Sequence, residues 1–106
     1  MGRYLLTLLD KKKGMGRFGK WVGGRPAGRP SATFREFCYV SPDPEDDVKA
    51  LIERIGASQV LFGSDFPHPE GIADPIRFVD LLDGCSEEDT RLVMRTNTER
   101  LLAGAR

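Results

Sequence analysis

The tripeptide Val60-Leu61-Phe62, closed at once by Gly63-Ser64-Asp65, constrains this chain more than any other stretch. An uninterrupted apolar run of strand length has no polar side to turn to water, so it belongs to a strand covered on both faces, as in a parallel sheet. Parallel pairing needs a second strand and a crossover helix, and the residues upstream supply both. Phe34 to Val40 (FREFCYV) is rich in aromatic and β-branched residues and is expected to form a short strand centred on Phe37 to Val40, stopped by Ser41-Pro42. Between the two runs, Asp43 is placed as an N-cap, Pro44 suits the first helical position and Asp46 completes a variant capping box. Val48, Leu51, Ile52 and Ile55 then recur at helical spacing until Gly56 ends the helix.

Two more helices are expected after the second strand. Asp74-Pro75 again offers an N-cap and a first-turn proline, ahead of Ile76, Phe78, Val79, Leu81 and Leu82, with Gly84 closing the element. Ser86 and Asp89 repeat the capping pattern before Leu92, Val93 and Thr96, and the chain runs out in a short turn at Leu101-Leu102. Strands alternating with helices give an α/β class with right-handed crossovers. Two strands cannot make a parallel sheet self-sufficient, so the edges of 37–40 and 60–62 are expected to seek another chain or the remainder of the same fold. The chain's 106 residues also fall far short of a complete (β/α)₈ barrel, which takes about 250.

Charge divides the chain unevenly. Residues 1–30 carry eight basic side chains against one acidic, net +7, whereas residues 31–106 carry eight basic against fifteen acidic, net −7. Residues 1–30 are therefore read as a basic, Gly/Pro-rich, loop-like segment, and 31–106 as the regular domain. Within 11–30, Lys11, Lys12, Lys13, Arg17, Lys20, Arg25 and Arg29 lie among Phe18 and Trp21. No recognition helix or paired RNA-binding aromatics accompany them, so no specific nucleic acid is expected. GMGRFG has the letters of a dinucleotide fingerprint at Gly14, Gly16 and Gly19, but lacks the strand before it and the helix after it that the chemistry requires. Cys38 and Cys85 are far apart, with no CxxC, and are read as reduced thiols. Leu5, Leu6, Leu8 and Leu9 are too short a run to span a bilayer, and their charges follow them where a secretory signal would place them ahead; no membrane role and a cytoplasmic location are expected.

Chemistry in an α/β fold gathers beyond the carboxyl ends of its strands, and the loop opening at Ser64-Asp65 occupies that place. Asp65, His68 and Glu70 are its polar convergence. On spacing alone Asp65 has two roles open to it: capping the following turn through backbone N–H groups, or holding a metal and accepting a proton. His68, the only imidazole in the chain, is held between Pro67 and Pro69. Glu70 reads as a surface residue. One histidine without a ligand pair at metal spacing does not make a complete zinc site, so the chain alone is expected to bind no metal.

The run Val60-Leu61-Phe62-Gly63-Ser64-Asp65-Phe66-Pro67-His68 resembles the final-strand signature of the amidohydrolase-related superfamily, in the branch of aminocarboxymuconate-semialdehyde decarboxylase-like enzymes. Pro30 to Glu36, Tyr39 to Ser41, and Asn97, Arg100 and Leu101 extend the likeness over roughly residues 29–102. The resemblance implies the last two strand–helix units of a metal-dependent hydrolase TIM barrel, that is, a carboxyl-terminal fragment or partial barrel. It implies that Asp65 binds or faces a divalent metal, zinc first, and handles a proton, that His68 lines the substrate pocket, and that Asn97 ties the last helix to the barrel. The paired histidines of the first strand and the later histidines of the central strands have no positions here. Activity by the chain alone is therefore not expected, and a small-molecule substrate would be met only in an intact barrel. A truncated product, a piece completed by a complementing chain or a homo-oligomer, and a non-catalytic binding or structural remnant with a basic segment all remain open.

Overall fold

A computed structural model describes residues 7, 10, 11 and 28–104. The basic stretch from residue 12 to 27, with its GMGRFG letters, lies outside the described residues. The chain divides into two compact units, Met1–Cys38 and Tyr39–Arg106.

In the first unit, helix α1 spans Pro30–Phe37, with proline at a position whose missing N–H costs the helix nothing. Its N-cap residue, Arg29, provides no side-chain cap. Asp10 does so from a distance: Oδ1 accepts from Ser31 N–H at 2.9 Å and Oδ2 from the Ser31 hydroxyl at 2.6 Å. A carboxylate there meets both the orphan N–H groups and the positive end of the helix dipole. This corrects the expected strand centred on Phe37 to Val40. Phe34 to Phe37 are helical, Cys38 and Tyr39 are extended, and only Val40 pairs with a neighbour. Aromatic content favours a strand only weakly, and the cap that decides for helix arrives from residue 10.

In the second unit, the structure also shortens the other expected strand. Among the described residues the pairing is an isolated parallel bridge, Val40 to Val60, in which Val40 N–H donates to Gln59 O and Leu61 N–H to Val40 O, each at 2.8 Å. The parallel sense is the one expected, but the two strand–helix units of the α/β reading are reduced to two short extended segments. Helix α2 covers Val48–Ile55, starting later than expected. Asp47, not Asp43, is the N-cap and accepts from Ala50 N–H at 3.0 Å, while Asp43 and Asp46 close a separate turn ahead of it. The run Asp43-Pro44-Glu45-Asp46-Asp47 offers several caps, and the one adjoining the apolar face is used. Gly56 terminates α2 at φ 90°, a left-handed value open to glycine.

Val48, Ile52 and Ile55 form the buried face of α2 and join Ala57, Val60, Phe78, Leu82 and Val93 in the core. Each buried aliphatic side chain contributes about 1.5–3 kcal/mol. Phe62 meets Phe78 edge to face with centroids 5.2 Å apart. The Pro75–Leu82 element is a 3₁₀ helix with Phe78 and Leu82 buried and Ile76 and Val79 exposed. Helix α3 (Glu87–Arg91) begins at Ser86, whose hydroxyl accepts from Asp89 N–H as expected, with Glu87, Glu88 and Asp89 complementing the dipole. It continues as a π-helical turn, Leu92–Thr96, into α4 (Asn97–Leu102), the backbone staying helical at both junctions. Among the described residues no helix is long and apolar enough to cross a membrane.

Candidate metal and proton-transfer site

The two extended segments run parallel, so their carboxyl ends lie together. Ser41 follows one and Gly63 the other, and the space beside them is an open concavity of about 330 Å³ lined by Ser41, Pro42, Asp43, Pro44, Gly63 and Asp65. The approach is close: a Cβ on Gly63 would collide with Ser41 Oγ. A side chain at this position would have to turn the Ser41 hydroxyl aside.

The loop beyond Gly63 is held by its own backbone. His68 N–H donates to Asp65 O at 2.9 Å, Gly71 N–H to His68 O at 2.9 Å, and Ile72 N–H returns to Ser64 O at 2.7 Å. The Phe66-Pro67 bond is cis. A Cβ on Gly71 would come within 2.7 Å of Ser64 O, so a side chain there would force the loop apart. Asp65 has φ 53°, the left-handed region that aspartate tolerates better than most residues but still at some cost. Strain of this kind persists where surrounding bonds over-determine it, and it gathers at functional sites.

The turn does not use the Asp65 carboxylate as a cap. Phe66 N–H takes Ser64 Oγ at 3.2 Å, while Asp65 Oδ1 sits 2.9 Å from His68 Nδ1. An ionised carboxylate only accepts, so Nδ1 carries the shared proton and a neutral ring keeps Nε2 as its acceptor. The side chains of His68 and Asp65 remain 67% and 49% exposed, open to a ligand or to further chain. Glu70 completes the cluster: one ligand atom from each of Asp65, His68 and Glu70 lies within 4.8 Å of the others. Two carboxylates and an imidazole at this spread are a donor set that one divalent cation can draw together.

Asn97 is tied to the segment that leads to the site. It is 2% exposed, and its side-chain amide donates to Ala57 O at 2.7 Å and Val60 O at 2.8 Å. The structure thus brings Asp65 and His68 into contact and places Asn97 against the segment that leads to them. Glu70 is exposed, as read from the sequence, and lies within reach of an ion shared with Asp65 and His68. Its signal was the spacing Asp65-x-x-His68-x-Glu70 on a loop with proline on both sides of the histidine. Ser41 and Asp43 went unrecognised, because only the parallel bridge brings them beside Asp65.

Comparison with known proteins supplies a frame. A family model described as amidohydrolase matches residues 14–104. A crystal structure of an amidohydrolase from Mycobacterium avium subsp. paratuberculosis K-10 is similar, with 35% sequence identity and a TM-score of 0.79 over 94% of this chain. The chain spans 24% of that protein's length. No match was found among curated proteins.

Proposed function

Because the chain belongs to the amidohydrolase family, we propose that it forms the carboxyl-terminal part of a metal-dependent hydrolase barrel of the decarboxylase-like branch, with Asp65 at the metal and proton-transfer position. The observation carrying this reading is the 2.9 Å contact of Asp65 with His68 at the shared carboxyl ends of two parallel segments. Asp65, assisted by His68 and Glu70, would hold a divalent ion, zinc first, with the remaining ligands coming from histidines on strands that these residues do not include. A bound divalent ion would supply Lewis-acid polarisation of a carbonyl or an activated water.

The chain's own residues have separable tasks. His68, by donating from Nδ1 to Oδ1, fixes the rotation of the Asp65 carboxylate and directs Oδ2 away from the ring. Asp65 then holds or releases a proton at Oδ2. His68, whose side chain is largely exposed, would line the substrate pocket, with Phe66, 59% exposed, presenting apolar surface in the same loop. A carboxylate poised this way serves hydrolysis of C–N or C–O bonds and non-oxidative decarboxylation of a carboxylated ring or enol. The substrate is a small molecule enclosed by the completed barrel, and the completing chain or domain is the expected partner.

The test is titration of the chain with Zn²⁺ or Co²⁺ by calorimetry and Co²⁺ absorption, alone and with the barrel portion that carries the paired histidines. One ion per chain is expected, held weakly alone and tightened on assembly. Turnover of an amide, ester or carboxylated-ring substrate should appear only in the assembly. Turnover by the metal-free isolated chain would overturn the reading.

A further inference from the structure

The helical run from α3 to α4 changes pitch in its middle. Through Leu92–Thr96 the ladder is π-helical, and Asn97 N–H reaches back to Leu92 O. In an unbroken α-helix that N–H would bond to the Val93 carbonyl. The displaced bond leaves Val93 O available to a group outside the helix, and Phe62 N–H donates to it at 3.0 Å. Immediately after the π turn, the buried Asn97 amide takes the carbonyls of Ala57 and Val60.

These bonds complete a pattern begun on the other side of the segment. Successive N–H groups of an extended chain point in opposite directions. Leu61 N–H goes to Val40 O, and Phe62 N–H goes to the helix, in the place where a neighbouring strand would present its carbonyl. In the middle of a regular α-helix every carbonyl already accepts from the N–H four residues on, so the skipped Val93 carbonyl gives the π turn a use. Short π turns inside α-helices recur at functional sites.

We propose that the π turn Leu92–Thr96, with Asn97, is a positioning element for the Asp65 loop. It fixes the 57–62 segment by handing the Val93 carbonyl to Phe62 and the Asn97 amide to Ala57 and Val60. Gly63 and Ser64 alone separate Phe62 from Asp65, and Ser41 Oγ already fills the space above Gly63, so a displacement at Phe62 passes to Asp65 with little slack. The inference rests on the reading of Asp65 and His68 as the functional pair. Val93 and Asn97 bond to Phe62, Ala57 and Val60 and act through that segment.

The experiment uses the whole chain without metal, reading amide hydrogen exchange and the His68 ring resonances by NMR. Removing Arg95, whose side chain is 77% exposed and paired with Glu99, shortens the π turn to α-helix and returns Val93 O to the ladder. Asn97→Ser removes the reach of the amide by a milder route. Arg95→Ala keeps the π turn and loses only the ion pair, and Ile52→Val weakens the core away from the segment.

The Arg95 deletion and Asn97→Ser are expected to speed exchange at the Phe62 and Ile72 N–H groups about tenfold beyond the change in global stability, and to shift the His68 ring resonances. Arg95→Ala and Ile52→Val should move these readouts only in step with global stability. If all four variants do so, with His68 unchanged in the folded population, the π turn and Asn97 merely hold structure and the proposal is overturned. Should the deletion fail to fold, Asn97→Ser decides between the same outcomes. Loss of metal binding would sink the proposed function without altering these metal-free signals.

Discussion

Asp10 and Asp65 are the same residue type put to opposite uses. Asp10, with a side chain 18% exposed, gives both oxygens to Ser31, whose N–H and hydroxyl it satisfies at the head of α1. Asp65, 49% exposed, sits on left-handed backbone and leaves the N–H groups of its own turn to Ser64 and to backbone carbonyls. Its oxygen meets an imidazole instead. A carboxylate that satisfies backbone donors is committed to structure. One held against a histidine at the carboxyl ends of parallel segments keeps an oxygen free for a ligand, and the backbone around it does the work of holding the loop.

That contrast breaks if the two aspartates respond alike to mutation. The largest effect is expected at the site: in an assembled barrel, Asp65→Asn should lower turnover by about 10²–10⁴-fold, while urea unfolding of this chain shifts by no more than ~0.5 kcal/mol. Unchanged turnover would put Asp65 in the class of Asp10. Asn97→Leu should cost about 2–4 kcal/mol, since it removes two buried hydrogen bonds, takes the amide from the Val60 carbonyl and leaves the Ala57 carbonyl only its 3.2 Å bond from Val60 N–H. A loss below ~0.5 kcal/mol in the same unfolding experiment would mean those bonds carry little. Asp10→Ala should destabilise α1 by about 1–2 kcal/mol through the lost cap, with metal binding by the chain unchanged; a fall in metal affinity would blur the division between the two residues.

A smaller effect concerns Cys85, whose thiol is pushed above its ordinary value by burial first and by Asp89 next, with Lys49 opposing. A raised thiol favours the protonated form in the folded chain. Any stability it contributes is therefore intact below the unfolded-state value and lost as pH rises from there through the folded value. Alkylation by iodoacetamide at about pH 8.5 should accordingly be slower at Cys85 than at a small free thiol. Equal or faster reaction would remove the burial argument.

What the residues disclosed depended on how local the deciding interaction was. Ser86 as a cap and Gly56 as a stop were legible because both act within one turn. The Asp65-x-x-His68 pair was legible because chain punctuation set it at a strand end. Phe34 to Phe37 misled, since their aromatic content favours a strand while the cap that makes them helical comes from 21 residues upstream of Ser31. The start of α2 was displaced because neighbouring acids compete for one role. The π turn had no signature at all: Leu92, Val93 and Thr96 suit an α-helix, and only the demand of Phe62 N–H for an acceptor shows why the ladder shifts. Glu70 was legible as part of the polar convergence but read as surface, and it is the loop folding back through Ile72 N–H to Ser64 O that accompanies its approach to Asp65 and His68.

The most direct measurement compares Zn²⁺ and Co²⁺ titrations of the chain with those of its Asp65→Asn and Asp10→Asn variants. The account predicts one weakly held ion for the chain, retained by Asp10→Asn and lost by Asp65→Asn. Equal binding by the chain and Asp65→Asn would contradict it.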